Sequence, residues 1–365
     1  MIKEGKFGPA EAIVLLAVSN VARIFLPYPR SLVEMGGPAA WITPIGGFAV
    51  ALAGAYIMSL LLKKNPDNTI IEITEEAFGP ALGITFNLIT IAFFISVSFL
   101  FVRQFSEALI IAALPETPIS VIAAVFLAIG LLGAYLGIEA LARATRLTYI
   151  YVFGGIVLLL FALTPQWNFD NLFPVLGNGF FPVFGLGTFS TAAVTEIILA
   201  AVLVQSMGGA DKYVRINFFV ALIAFTVLSI LLAVSVLTMG KEISTETTLP
   251  FYRLSRNIYL GRFFQRVEAL FIIIWSIVGA LKIALTLYGA AVSLARTLKL
   301  PDYRPLIWPL GLIIFIFSFL PPDLPTTIKL DTDFLRVFAH VPNYLLPLLL
   351  LAAYWLKGRV RRAGN

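Results

Sequence analysis

Apolar residues in this chain come in long, nearly unbroken runs, separated by short clusters of helix breakers. Ten runs can be marked, at about 8–28, 41–62, 81–114, 118–138, 147–164, 183–205, 216–238, 263–296, 305–320 and 341–356. Most approach or exceed the roughly 20 residues that a helix needs to cross a bilayer core. Between them stand Gly37-Pro38, Asn65-Pro66, Gly79-Pro80, Pro115, Pro165, Gly208-Gly209, Pro301 and Pro321-Pro322, each a signal for a turn. The pattern predicts an all-α, polytopic membrane protein with ten transmembrane helices. No connecting loop is long enough to fold alone, so one integral membrane domain over 1–365 is expected.

Composition agrees. Hydrophobic residues make up 59% of the chain and charged residues 13%, more apolar side chain than a soluble fold of this size has interior to hide. With no cysteine and one histidine, His340, disulfides, thiolate metal sites and a catalytic triad are not expected. No phosphate-cradling glycine loop is present. We expect no enzyme, no metal and no cofactor. The net charge of +6 is read as an orientation signal, not a nucleic-acid footprint. Loops sharing a side with the N-terminus carry 15 basic residues and the opposite loops carry eight, which places both termini in the cytoplasm. No cleaved leader is expected, because the first run carries Glu11, Asn20 and Arg23 and lacks a small-residue cleavage site. The loop 239–262 departs from the charge pattern. There Phe251, Leu254 and Ile258 share helical spacing and suggest either a short helix across the outer mouth or an ordinary amphipathic connector.

The spans divide into two repeats of five, about 8–165 and 180–357. The third span of each is the longest and carries cationic charge at hydrocarbon depth. An odd number of spans per repeat forces the second to run with inverted topology, the plan of many secondary transporters. A LeuT-like 5+5 inverted repeat is therefore expected, with helices one and six interrupted at mid-membrane, where freed backbone groups make a ligand site. In span one the candidate break is Ser19, Asn20, Val21, Ala22 and Arg23, followed by Pro27 and Pro29. In span six, Gly185, Gly187 and Thr188 lead into Ser190, Thr191, Ala192, Ala193, Val194, Thr195 and Glu196. The same glycines and hydroxyls also suit close helix packing, and both readings stand at this point.

Arg23, Arg103, Glu107, Glu196 and Lys282 lie well inside apolar runs. A charge at a helix centre costs about 3 kcal/mol on insertion scales, so each should face the bundle interior and pair. Arg103 and Glu107 are four apart and form an expected structural ion pair. Glu11, Glu268 and Arg266 fall near span ends, where water reaches them. That leaves Arg23, Glu196 and Lys282, a small positive excess near the two breaks that a zwitterionic solute could complete. Its ammonium would meet carbonyls or Glu196. Lys282, with Thr286 one turn on, is expected beside the span-one break; its ammonium would either take the place of a coupling sodium ion or tie spans together by a salt bridge. Phe101 is expected to face lipid, on the side of span three away from Arg103.

The stretch Gly261 to Trp275, with Arg266, Glu268, Phe271 and Trp275, resembles the opening of span eight in the B subunit of GerA-type spore germinant receptors. These are the spore permeases of the amino acid–polyamine–organocation transporter superfamily. Lys299 to Arg304, Asn68 to Glu72 and Thr195-Glu196 are similar to further family segments in the same order. The chain departs in having Val194-Thr195 where the family often has glycine and an aromatic, in lacking a proline between Ile197 and Met207, and in carrying Arg23. The resemblance implies a subunit in the inner membrane of a bacterial spore that senses a small nutrient, commonly an amino acid. It also implies an A-type membrane subunit and a C-type lipoprotein as partners. A gradient-driven amino acid transporter using Glu196 and Lys282 as protonation sites is the competing reading. A non-binding channel or assembly scaffold is the third.

Overall fold

The computed structural model describes residues 5–258 and 267–363, without the side chains of Val267 and 357–363. Residues 261–266 of the span-eight motif, with Arg262 and Arg266, Lys3, and the basic side chains of the tail lie outside the described residues. The described residues form helices and turns, with no strand among them. Eight of these segments are long and apolar enough to cross a membrane, against ten expected, and Arg304–Ser318 is a shorter apolar helix.

Span one is broken. Helix Pro9–Val21 gives way to a tight 3-10 turn, Ala22–Phe25, and an extended Leu26 before helix resumes at Tyr28–Gly36. Helix resumes despite Pro27 and Pro29. Pro29 sits in the first turn of the second half, where a missing N–H leaves no bond unmade. A 3-10 turn, Gly37–Ile42, then leads into span two, Thr43–Lys64. Span three, Ile70–Ala112, starts on a Thr69–Glu72 capping box and bends at Gly79, whose φ of 79° suits glycine. Spans four and five are Ile119–Leu136 and Ile138–Leu163. Span six is broken like span one. A wide π-helical stretch, Phe181–Gly187, continues as Thr188–Ala192, unwinds over 193–196, and resumes at Ile197–Val202. Spans seven, Ala210–Glu246, and eight, Val267–Thr297, are long. Between them lies helix Pro250–Arg256, in which Phe251 and Leu254 are buried, as is Ile258 just beyond its end.

The last helical run corrects the expected boundary. It begins at Leu324, not near 341, and passes through π-helical turns at Leu330–Leu335 and Val341–Leu345. Its start is capped by Asp323, which accepts from the Thr326 amide at 2.8 Å. Hydrogen bonds from Thr326 hold the Asp323 carboxyl below the usual carboxylate range. Arg336, counted from sequence among loop charges, is instead 3% exposed in this helix. Its charge and that of Asp331 dilute the hydropathy of the segment, which is why it reads as a loop.

Two close approaches set the frame. A Cβ on Gly46 or Gly47 of span two would fall 1.9 or 2.3 Å from the hydroxyls of Thr188 and Thr191 in span six. A Cβ on Gly279 of span eight would meet Phe105 of span three at 2.7 Å. The packing reading of the span-six glycines and hydroxyls therefore applies to Gly187, Thr188 and Thr191, which lie against span two. Ser190 and residues 193–196 do something else.

Candidate functional site

The two breaks meet. Between them lies a cavity of about 20 Å³, lined by Ser19, Asn20 and Arg23 from span one, Ala193 to Glu196 with Ile198 and Leu199 from span six, Phe93, Phe94 and Val97 from span three, and Lys282 and Thr286 from span eight. That is room for about one water molecule. Two smaller cavities of about 10 Å³ adjoin the same segments, and Asn20 lines all three. Three small cavities thus cluster where helix is interrupted.

Glu196 is the hub. It is 6% exposed, with backbone angles (φ −102°, ψ 23°) outside the helical region. Its carboxylate accepts the Ser19 hydroxyl at 3.0 Å and the ammonium of Lys282, joining the two breaks and span eight through one group. The Lys282 ammonium also lies 5.4 Å from the centre of the Phe101 ring. The Thr286 hydroxyl donates to the Lys282 carbonyl at 3.0 Å and meets Ser98 of span three at 2.8 Å. The unwound end of span six is satisfied by side chains, as an interrupted helix in a membrane requires. The Ile198 amide donates to Asn343 at 3.0 Å, and Tyr344 donates to the Ala192 carbonyl at 2.8 Å and meets Thr195 at 3.4 Å.

A second ionic cluster adjoins the first across Phe101. Arg23 pairs with Asp331 at 2.5 Å and stands 5.0 Å over the Phe101 ring. Asp331 also accepts from Arg336 at 3.2 Å. Arg336 in turn donates to Ser31 of span one at 2.9 Å and Ser190 of span six at 3.0 Å, and lies 4.6 Å over Tyr28. Three cations, Arg23, Lys282 and Arg336, face two carboxylates, Glu196 and Asp331. One formal positive charge is left over in a buried setting, where an anionic group on a ligand would be favoured.

Seven of the nine binding candidates from sequence line the main cavity: Ser19, Asn20, Arg23, Thr195, Glu196, Lys282 and Thr286. Ala22 and Ala192 do not line it. Ala22 is buried in the 3-10 turn, and Ala192 contributes only the carbonyl held by Tyr344. Arg103 and Glu107 lie 2.8 Å apart, away from the cavity, and Arg103 also donates to the Pro322 carbonyl at 3.0 Å. The lipid-facing expectation for Phe101 is wrong: its side chain is fully buried between Arg23 and Lys282. Every residue from Leu100 to Ser106 is buried, so this part of span three has protein on all sides and turning away from Arg103 does not lead to lipid. Sequence reading also missed Asp331 and Arg336. An acid five residues before an arginine was the available signal.

Comparison with known proteins is consistent with this geometry. Solved structures with the same fold include Mhp1, a nucleobase-cation-symport-1 family transporter in a closed conformation with bromovinylhydantoin bound. The match has a TM-score of 0.69 at 12% identity and covers 93% of this chain and 78% of that one. MhsT in complex with L-phenylalanine matches with a TM-score of 0.68 at 13% identity, over 97% of this chain and 99% of that one. The chain shares this LeuT-like fold, and its apolar helices make it an integral membrane protein. In sequence it is 24% identical to spore germination protein KB of Bacillus subtilis (strain 168), over 98% of this chain and 97% of that protein. It is 26% identical to spore germination protein A2 of the same organism, over 97% of each chain. The family model described as spore germination protein matches residues 6–326, and the chain belongs to that family, the spore permeases.

Proposed function

We propose that this protein is the nutrient-sensing membrane subunit of a spore germinant receptor. It binds a small amino acid, or a solute of similar chemistry, between the breaks of spans one and six. The observation that carries the reading is the junction at Glu196, where one buried carboxylate meets Ser19 of the first break and Lys282 of span eight beside a cavity. A zwitterion suits the surplus positive charge: its carboxylate goes toward Arg23 and Lys282, and its ammonium toward Glu196 and freed carbonyls.

The cavity of about 20 Å³ is too small for any amino acid, so binding must part the half-helices. That movement is the signal. A solute that favours the parted arrangement shifts the population toward it, and partner subunits feel the change at span ends. The partners are an A-type membrane subunit and a C-type lipoprotein, in the inner membrane of the spore, with both termini of this chain cytoplasmic. The chain acts as one domain built from two five-span repeats, about 8–165 and 180–357. Lys282 stands in for a coupling sodium ion, so solute binding measured by isothermal titration should be unchanged when sodium is replaced by choline.

The transporter fold of the structural neighbours favours a second reading, a sodium-independent or proton-coupled amino acid transporter. Uptake of labelled alanine into proteoliposomes, measured beside saturable binding, separates the two. Binding without concentrative uptake is expected. Robust accumulation would make the protein a transporter, and an intact assembly with no saturable binding would leave only a channel or scaffold.

A further inference from the structure

A second, larger cavity lies apart from the polar site, between spans five and eight. It measures about 330 Å³ and is lined almost wholly by apolar side chains, among them Leu159 of span five and Phe271, Ile274 and Ile277 of span eight. Its inner wall is Phe25, the last residue of the 3-10 turn in span one, which is 2% exposed and packs edge-on against Phe271 at 5.4 Å. Gly155 of span five helps to make the room. A Cβ there would reach within 2.7 Å of Ile274 Cδ1, the end of a flexible side chain.

We infer that this groove is a binding site for one acyl chain of a bilayer phospholipid. The occupant follows from the surroundings. Ile277 at the rim is 40% exposed, and so are its neighbours Ile273 and Leu158, at 58% and 53%. In an integral membrane protein, side chains exposed along spans five and eight face hydrocarbon. The groove is thus continuous with the lipid boundary and opens onto acyl chains, not onto water. Water would find almost no hydrogen-bond partners in such an apolar groove, whereas an acyl chain that enters makes van der Waals contacts along its walls. The inner wall gives the site a second meaning. Phe25 belongs to the same four-residue turn as Arg23, so an acyl chain in the groove braces the segment that carries one side of the polar site.

The test uses the full-length protein in proteoliposomes of phosphatidylglycerol and phosphatidylethanolamine carrying a trace of phospholipid with a diazirine in its acyl chain. After illumination, adducts are mapped by mass spectrometry. Adducts on Phe271, Ile274 and Ile277 should exceed those on Leu312 and Ile316 several-fold, since the latter are also exposed, at 61% and 54%, but line no wall of this groove. Gly155→Phe fills the groove from span five and should remove the excess. Ile277→Trp narrows the mouth from the lipid side with little risk to folding and should reduce it too. Equal labelling at both places, or an excess that survives both substitutions, would overturn the assignment. So would labelling of the groove by a free diazirine fatty acid that excess phospholipid fails to displace.

Discussion

Glu196 and Asp331 are both carboxylates, 6% and 3% exposed, and each is held by a cation from another helix. Their surroundings differ. Asp331 takes two guanidiniums, and the second of these, Arg336, spends its remaining donors on Ser31 and Ser190. Around Arg336 every guanidinium nitrogen is engaged, and the cluster joins span ten to spans one and six. Glu196 has one ammonium and one hydroxyl, sits on unwound backbone, and borders a cavity. A fully satisfied buried network specifies one arrangement, whereas a carboxylate with room beside it can exchange partners. The first cluster is a clamp, and the second is where a ligand can compete.

Substitutions can break that contrast, and the largest effect belongs to the clamp. Asp331→Ala leaves Arg23 and Arg336 buried against each other, so a loss on the order of 3–5 kcal/mol is expected, read as a lower melting temperature of the detergent-solubilised protein. Glu196→Ala should act differently. Lys282 keeps the face of Phe101 and a cavity able to admit a water, so the chain should still insert and run as a monodisperse peak while the response to solute is abolished. Equal melting losses for the two variants would erase the distinction. Phe101→Leu removes the ring shared by Arg23 and Lys282, with an expected cost of about 2 kcal/mol and a weakened response, checked by the same melting curve and a germination assay. Arg30→Ala breaks only a solvent-exposed pair with Glu34 at 2.8 Å and should change stability by less than about 0.5 kcal/mol.

Much of this arrangement is legible in the chain itself. Buried charge is costly enough in hydrocarbon that Arg23, Glu196 and Lys282 stand out against apolar neighbours, and the structure brings them within one group of contacts. The small polar residues before each break likewise mark where helix hydrogen bonds are given up. Asp331 and Arg336 were hidden for the opposite reason. With Lys329 and Asp333 nearby they make the segment look solvated, and only the tertiary pairing with Arg23 shows that two of these charges are neutralised inside. Phe101 failed because a helical wheel gives directions within one helix and says nothing about how many neighbours surround it. The apolar run of span one ends near 28, yet helix continues over Tyr28–Gly36, because proline breaks a helix in its interior but fits its first turn.

An experimental structure of the protein determined with bound alanine, or another amino acid that elicits germination, tests the central claim most directly. Density for the solute is expected between Ser19–Arg23 and 193–196, in hydrogen-bonding contact with Glu196 or the Lys282 ammonium, with the half-helices moved apart. Continuous helices through both stretches, or the solute seated elsewhere with the Glu196–Lys282 pair undisturbed, would contradict it.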